Sequence, residues 1–183
     1  MAAARVRFAE DGIAAAALSS IARDAGITLA ALYHYFPNRE ELFEVVYRES
    51  LDLIWIPWVE RAESIEPGAD FLTRMKVMLG DGSGPHEAVA NFFTPAQIHV
   101  RRKPELHHLF VEREQRRREG FEALLGELPT EGRIRGIETV EEGVWILEIL
   151  FSGWAFEGML RRERQPEFLD AALAIAAALT VEP

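Results

Sequence analysis

The apolar residues of this chain recur every three or four positions along almost its whole length, which is the pattern of amphipathic helices. No segment shows the two-residue alternation of a half-buried strand. The first four predicted helices span residues 2–10, 18–25, 28–35 and 39–64. Gly26 is the expected end of the second helix, and Thr28 is the expected N-cap of the third. Asn38 and Glu41 form the expected capping box of the fourth.

The rest of the chain predicts five further helices, separated by glycines and prolines. They span residues 68–79, 86–102, 104–128, 139–164 and 166–180. The run GDGSGP at 80–85 is a break between helices, and Pro57 should kink the fourth helix. The predicted fold class is therefore all-α, with about nine helices.

Residues 18–36 join two short helices through the tight turn Ala25-Gly26-Ile27-Thr28, which is the helix-turn-helix unit that lays a helix in the DNA major groove. The stretch resembles the N-terminal domain of the TetR family of bacterial transcriptional regulators. The residues that carry the resemblance are Phe8, Gly12, Ile21-Ala22, Ala25-Gly26-Ile27-Thr28, Leu32-Tyr33, Phe36 and Arg39-Glu40-Glu41-Leu42.

This resemblance implies a helix-turn-helix DNA-binding domain over residues 1–48 and a ligand-binding and dimerisation domain over 49–183. It further implies a homodimer that binds a near-palindromic operator and is released when a small, largely apolar effector enters the C-terminal domain. We therefore expect a ligand-responsive repressor. Its expected DNA contacts are Thr28, Leu29, Ala30, Ala31, Tyr33, His34, Tyr35 and Arg39.

The sequence departs from the family pattern where DNA contacts should lie. Ala16 and Ala17 replace the Thr or Ser that caps the second helix, and Leu29-Ala30-Ala31 replaces a common Lys-Gly-Thr run. Small apolar side chains can contact a thymine methyl group but cannot form the bidentate hydrogen bonds that read guanine or adenine. This pattern predicts weak or A·T-leaning recognition. The alternative is a helical dimerisation or ligand-binding protein of the same descent with weak or lost DNA binding, in which Tyr33 and Tyr35 only pack.

The C-terminal two-thirds contains candidate residues for a ligand pocket and a dimer interface. Residues 144–160 are apolar on nearly every face, which predicts cover from both the subunit core and a partner subunit. The alternative is a helix buried within one subunit. The dimer candidates are Phe151, Phe168, Ala172, Ile175, Ala176 and Leu179. The pocket candidates are Trp55, Trp58, Met75, Phe92, Phe93, Phe110, Trp145, Glu148 and Trp154. The aromatic candidates could equally be core, and Glu148 could meet a ligand or pair with an arginine.

Composition narrows the remaining function classes. The 183 residues are 49% hydrophobic, carry a formal net charge of −10 and include no cysteine. That charge argues against a non-specific nucleic-acid coat, and the absence of cysteine rules out a Cys-based zinc site. No apolar run reaches membrane-spanning length, so we expect a cytoplasmic protein. The five histidines form no HExxH, and GxSxG and a phosphate-binding glycine loop are both missing. We expect no enzyme, metal or cofactor.

Overall fold

The computed structural model describes residues 1–80, 87–160 and 165–181, without the side chains of 87–88, 154–160 and 165. Nine α-helices and no strand occur in this part of the chain, which confirms the all-α prediction. They are α1 Ala2–Glu10, α2 Leu18–Asp24, α3 Leu29–Tyr35, α4 Arg39–Glu63, α5 Phe71–Leu79, α6 Glu87–Arg102, α7 His107–Leu125, α8 Val140–Leu160 and α9 Gln165–Leu179. A 3-10 turn over Pro104–Leu106 precedes α7. None of the described helices is long and apolar enough to cross a membrane.

Most of the described helix ends follow the capping signals of the sequence, and the predicted end at residue 164 lies outside the described residues. Thr28 Oγ1 accepts from the backbone N–H of Ala31 at 3.0 Å, and Asn38 Oδ1 accepts from that of Glu41 at 2.8 Å. The helix expected from residue 68 begins at Phe71, because Asp70 takes the N-cap position and accepts from the backbone N–H of Thr73. The helix expected to reach residue 128 ends at 125. Pro57 lies within the continuous helix α4, and the predicted break at 80–85 falls mostly outside the described residues.

The first compact unit comprises Met1–Ile54 and Pro85–Glu114. Its centre is aromatic: the ring centroids of Phe8 and Phe43 are 5.9 Å apart, and those of Phe43 and Phe92 are 6.0 Å apart. Arg5 joins α1 to α4, since its buried guanidinium donates from Nε to Ser50 Oγ at 2.9 Å. This framework supports the helix-turn-helix segment.

The second compact unit comprises Trp55–Gly84 and Gln115–Pro183. Its core contains residues of α5, α7, α8 and α9, among them Phe71, Met75, Met78, Leu124, Leu125, Leu147, Ala172 and Ala176. An isolated antiparallel bridge between Ile134 and Thr180 fixes the end of α9. These units group residues by contact, whereas the predicted domains 1–48 and 49–183 are functional divisions, and those boundaries stay a prediction.

Candidate nucleic-acid interface

The helix-turn-helix segment is held by buried apolar side chains on the inner faces of its two helices. Ile21, Ala22 and Leu32 are at most 4% exposed. Between the helices the backbone turns at Gly26, whose φ of 69° lies in the left-handed region that favours glycine. The N–H of Ile27 then donates to the carbonyl of Ala22 at 3.0 Å, which closes the C-terminus of α2. The outer face of α3 is therefore set by its packed inner face.

The outer face of α3 carries most of the predicted DNA contacts. Thr28, Leu29, Ala30, Tyr33, His34 and Tyr35 are exposed, and Ala31 is half-buried. Tyr35 is 72% exposed and Tyr33 is 47% exposed, so both phenol rings are open to solvent. Both phenol hydroxyls can donate to phosphate oxygens, and the Leu and Ala side chains offer only apolar contact. This surface can position a helix on a backbone and read bases weakly.

Arg39 is the one predicted contact that the structure places differently from the rest. Its side chain is half-buried and donates to the backbone carbonyl of Ala14, in the loop before α2. Its Nε is buried and has no acceptor among the described residues. In this conformation the guanidinium is engaged within the protein, so its contact with DNA phosphate stays a prediction.

Ala16 and Ala17, which precede α2, have different roles in the structure. Ala17 is the N-cap residue and forms no side-chain cap hydrogen bond, whereas Ala16 is fully buried and belongs to the core. Only Ala17 therefore replaces a capping hydroxyl. Arg23 was not among the predicted contacts; its side chain on α2 is 70% exposed beside the turn and donates from Nε to Asp24 Oδ1 at 3.3 Å. Helical spacing could have found it, because it lies away from the buried Ile21 and Ala22.

Electrostatic contacts join α1 to this segment. Arg7 forms a hydrogen bond and ion pair with Asp24 at the end of α2. That hydrogen bond lowers the pKa of Asp24 and raises that of Arg7. Both groups stay charged at neutral pH, so α1 holds α2 by an ion pair as well as by packing.

The pocket candidates are divided between the two units, and their assignment to a ligand pocket stays a prediction. In the first unit Phe92 is core, Phe93 stacks on Tyr47 at a centroid distance of 5.6 Å, and Phe110 stacks on His107 at 5.8 Å. Met75 is fully buried in the second unit, whereas Trp145 there is 58% exposed. The Trp154 side chain lies outside the described residues.

Two of the candidates, Trp55 and Trp58, belong to an aromatic cluster in the second unit that also contains Phe121 and Phe151. Trp58 lies 4.5 Å from Phe151 and 5.5 Å from Phe121 between ring centroids, and the indole Nε1 of Trp58 donates to the Gly120 carbonyl at 3.1 Å. Phe121 was not predicted, although its spacing on α7 carried the same signal as the other aromatics. Glu148 forms an ion pair with Arg117, which is the second of the two predicted alternatives for this carboxylate.

The six dimer candidates differ in exposure within the subunit, and their role in a dimer stays a prediction. Ala172 and Ala176 are buried in the core of the second unit, and Phe151, Phe168 and Leu179 are half-buried. Ile175 is 43% exposed. Among the side chains of α8 that the structure describes, the large apolar ones with the greatest exposure are Trp145 at 58% and Ile149 at 70%. Alanine lines both sides of α9, so helical spacing alone could not tell its inner face from its outer one.

Open space within the described residues is small. A cavity of about 60 Å³ in the first unit is lined by Ile13, Ala14, Arg39, Glu40, Phe43, His99 and Lys103. A depression in the second unit at Met75, Leu79, Leu150, Phe151 and Ala172 is too narrow for a water molecule. No group of three or more potential metal ligands was found in the described part of the chain.

Comparison with known proteins identifies the N-terminal segment and the fold. Residues 1–46 match the model of the family described as bacterial regulatory proteins, tetR family. A transcriptional regulator from Rhodococcus sp. RHA1 is 22% identical with a TM-score of 0.72, over 100% of this chain and 97% of that one. The ketosteroid transcriptional regulator KstR2 of Mycobacterium tuberculosis is 19% identical with a TM-score of 0.63, over 98% and 92%. FadR of Bacillus subtilis, in complex with stearoyl-CoA, is 17% identical with a TM-score of 0.68, over 95% and 94%.

Proposed function

Because residues 1–46 form a TetR-family helix-turn-helix domain on a chain with the TetR-regulator fold, we propose that this protein is a DNA-binding transcriptional repressor released by a small apolar effector. The observation that carries the proposal is the outer face of α3. Its buried framework residues leave Tyr33, His34 and Tyr35 exposed together, with the small apolar residues beside them. As a regulator rather than an enzyme, it acts in the cytoplasm, where operator DNA is found.

On this proposal the tyrosine hydroxyls and Arg23 contact phosphates, and Leu29 and Ala30 contact thymine methyl groups. A cation that neutralises a phosphate releases counterions, so the Arg23 contact should make the binding constant fall as salt rises, with a log–log slope of about −0.9 per phosphate neutralised, whereas the neutral hydroxyls add little to the slope. We expect a shallow slope, because the outer face of α3 carries few cations. We also expect a preference for A·T base pairs at positions facing Leu29.

Fluorescence anisotropy with the intergenic DNA beside the protein's own gene tests this proposal. Replacing Tyr35 with Phe removes one hydroxyl and should weaken binding about five- to tenfold, the cost of about one hydrogen bond. The matched control is Phe110→Ala, which alters another exposed aromatic residue outside the helix-turn-helix segment and should bind as the parent does. If binding is absent, the protein belongs to the alternative class that has weak or lost DNA binding. Binding that does not change with salt would contradict the proposed phosphate contact of Arg23.

We propose that the effector binds at the aromatic cluster of the second unit, formed by Trp55, Trp58, Phe121 and Phe151. The support is an apolar, partly buried wall in a helical unit, which is where ligand sites in such folds lie. Stearoyl-CoA bound to FadR and the ketosteroid named for KstR2 indicate the probes to use first. A saturable change in tryptophan fluorescence, accompanied by release of DNA, is expected. Release of DNA without any fluorescence change would place the effector site elsewhere.

We propose that the homodimer forms through the exposed apolar residues of α8 and α9. The support is the exposure of Trp145, Ile149 and Ile175, with Ala171, Ala174 and Ala178 on the same exposed side of α9. Two-fold symmetry would place the same patch on both subunits and bring two recognition helices to successive major grooves. Light scattering should give a dimer for the parent and a monomer for Ile149→Glu. The control is Ile98→Glu, which places the same charge on an exposed isoleucine of α6. A parent protein that remains monomeric at micromolar concentration would contradict this interface.

A further inference from the structure

The cavity of the first unit lies where three elements meet. The loop between α1 and α2 contributes Ile13 and Ala14, the start of α4 contributes Arg39, Glu40 and Phe43, and the end of α6 with the residue after it contributes His99 and Lys103. Its volume of about 60 Å³ exceeds the roughly 10–15 Å³ that a single water needs on the same scale. The cavity therefore has room for a group of several heavy atoms, such as a tetrahedral oxyanion.

The polar atoms around this cavity include more donors than acceptors. The Nε of Arg39 is buried without an acceptor among the described residues. Lys103 Nζ donates to Glu40 Oε1 at 3.4 Å, which leaves the ammonium further donors, and a neutral imidazole at His99 supplies one donor and one acceptor. The other acceptors are the Glu40 carboxylate and the Ala14 carbonyl, which already receives a hydrogen bond from Arg39. A ligand with several acceptor oxygens and no donors would accept hydrogen bonds from the donors that have no acceptor.

The charges of the side chains that line the cavity also favour an anion. Two cations, Arg39 and Lys103, line the cavity against one carboxylate, and Glu105 lies further from the ammonium at 3.9 Å. The cavity also adjoins the first residues of the 25-residue helix α4, whose N-terminal end carries partial positive charge. Burial lowers the pKa of His99 most and the charge of Lys103 lowers it further, while Glu40 and Glu105 oppose the shift. A bound anion would act in the same direction as these carboxylates.

We propose that this cavity binds a small inorganic oxyanion of the phosphate or sulfate type, held by Arg39, His99 and Lys103. The bound anion accepts from the Arg39 guanidinium, the Lys103 ammonium and the His99 ring, and joins the loop after α1 to the start of α4 and the end of α6. Phe43, whose ring lies edge-on to His99 at 5.0 Å, closes the apolar side. This site does not depend on the proposed regulatory function.

Titration with inorganic phosphate at constant ionic strength tests the site. The ring signals of His99, assigned by their loss in His99→Gln, should shift and saturate at millimolar phosphate. Lys103→Met keeps the aliphatic part of the side chain and removes the charge, and it should weaken the apparent affinity at least about tenfold. The matched control is Lys76→Met, because Lys76 is the other lysine of the sequence and lies exposed on α5. It should leave the affinity unchanged.

A second measurement separates site binding from the general salting-out effect of phosphate. The melting temperature at about 10 mM phosphate should exceed that in chloride of equal ionic strength by about 2–4 °C in the parent and in Lys76→Met, but not in Lys103→Met. Equal gains in all three proteins, or shifts of His99 that do not saturate, would overturn the proposal.

A third titration, with duplex DNA in place of phosphate, identifies the source of the oxyanion. If DNA does not move the His99 signals, the ligand is free inorganic anion, as proposed. If DNA produces the same saturable shift and displaces phosphate, the site stands and a backbone phosphate occupies it. A protein that does not bind DNA still gives a clear result in the phosphate titration, so the site and the regulatory function fail independently.

Discussion

Gly120 should be essential to the packing of the aromatic cluster, although it lies inside helix α7, where glycine is unfavourable. A Cβ atom added there would lie 2.9 Å from Trp55 Cζ3, 3.0 Å from Trp55 Cε3 and 3.1 Å from Trp58 Cδ1. These are atoms of rigid rings, so the contact cannot be relieved by rotating a flexible chain end. Moving the Trp58 ring would also strain the hydrogen bond from its Nε1 to the Gly120 carbonyl.

The expected cost of Gly120→Ala follows from two opposing effects. Alanine in a helix interior is favoured over glycine by up to about 1 kcal/mol. Overpacking against rigid neighbours costs about 1–3 kcal/mol, and a weakened hydrogen bond costs about 1 kcal/mol more. We expect a net loss of about 1–3 kcal/mol in the free energy of unfolding. For a chain of this size, at about 2–4 °C per kcal/mol, the melting temperature should fall by about 2–12 °C.

The control is Gly153→Ala on α8, where an added Cβ meets nothing within 4 Å. This change should show the helix preference alone and raise stability by up to about 1 kcal/mol. Denaturant titration followed by circular dichroism measures both variants. If Gly120→Ala is as stable as the parent while Gly153→Ala gains stability, the tryptophans do not approach α7 closely in solution and the reasoning is refuted.

Three further outcomes are expected. Ala17→Ser should stabilise the protein by about 0.5–1 kcal/mol in thermal unfolding, because Ala17 has N-cap geometry and no cap bond, while Ala16→Ser places a hydroxyl in the core and should destabilise it. The backbone N–H of Thr73 is the main cause that lowers the pKa of Asp70, so the ionised carboxylate stabilises the folded state above pH 3.8, and this stabilisation is lost as the pH falls through the lower folded pKa. Asp70→Asn should therefore reduce the dependence of the free energy of unfolding on pH in that acid range. Burial raises the pKa of Tyr47 to about 12, so ultraviolet titration should show a phase there that Tyr47→Phe lacks, and stability should decline as pH rises from 10 to 12.

The sequence was sufficient for the helices and for the framework of the helix-turn-helix segment. Helix periodicity and caps depend on residues close together in the chain, which is why Thr28 and Asn38 cap as expected. The predicted start at residue 68 was wrong because Asp70, two residues later, is a stronger N-cap than the Pro-Gly pair. Nearby residues therefore decide where a helix begins, and a stronger N-cap a few residues away can shift that start.

The candidate pocket was harder to predict, because periodicity shows which face of a helix is apolar but not which helices meet. Phe92 and Trp58 looked equivalent in the sequence, yet one packs with Phe8 and the other with Phe151. Arg39 illustrates the same limit for charged groups. Its residue type fits a phosphate contact, but its hydrogen bond to Ala14 depends on a loop 25 residues away.

The position of Arg39 connects the strength of DNA binding with the proposed oxyanion site. Leu29 and Ala30 can contact bases only through apolar groups, so the affinity for DNA must depend on the few polar groups near α3. While the Arg39 guanidinium is held at the cavity, it cannot contribute to that affinity. An oxyanion accepting from Arg39 would hold it there more firmly. We therefore expect phosphate to weaken DNA binding more than chloride does at equal ionic strength, and Lys103→Met to remove that difference. Anion occupancy would then set how much of an already weak contact surface is available to the operator.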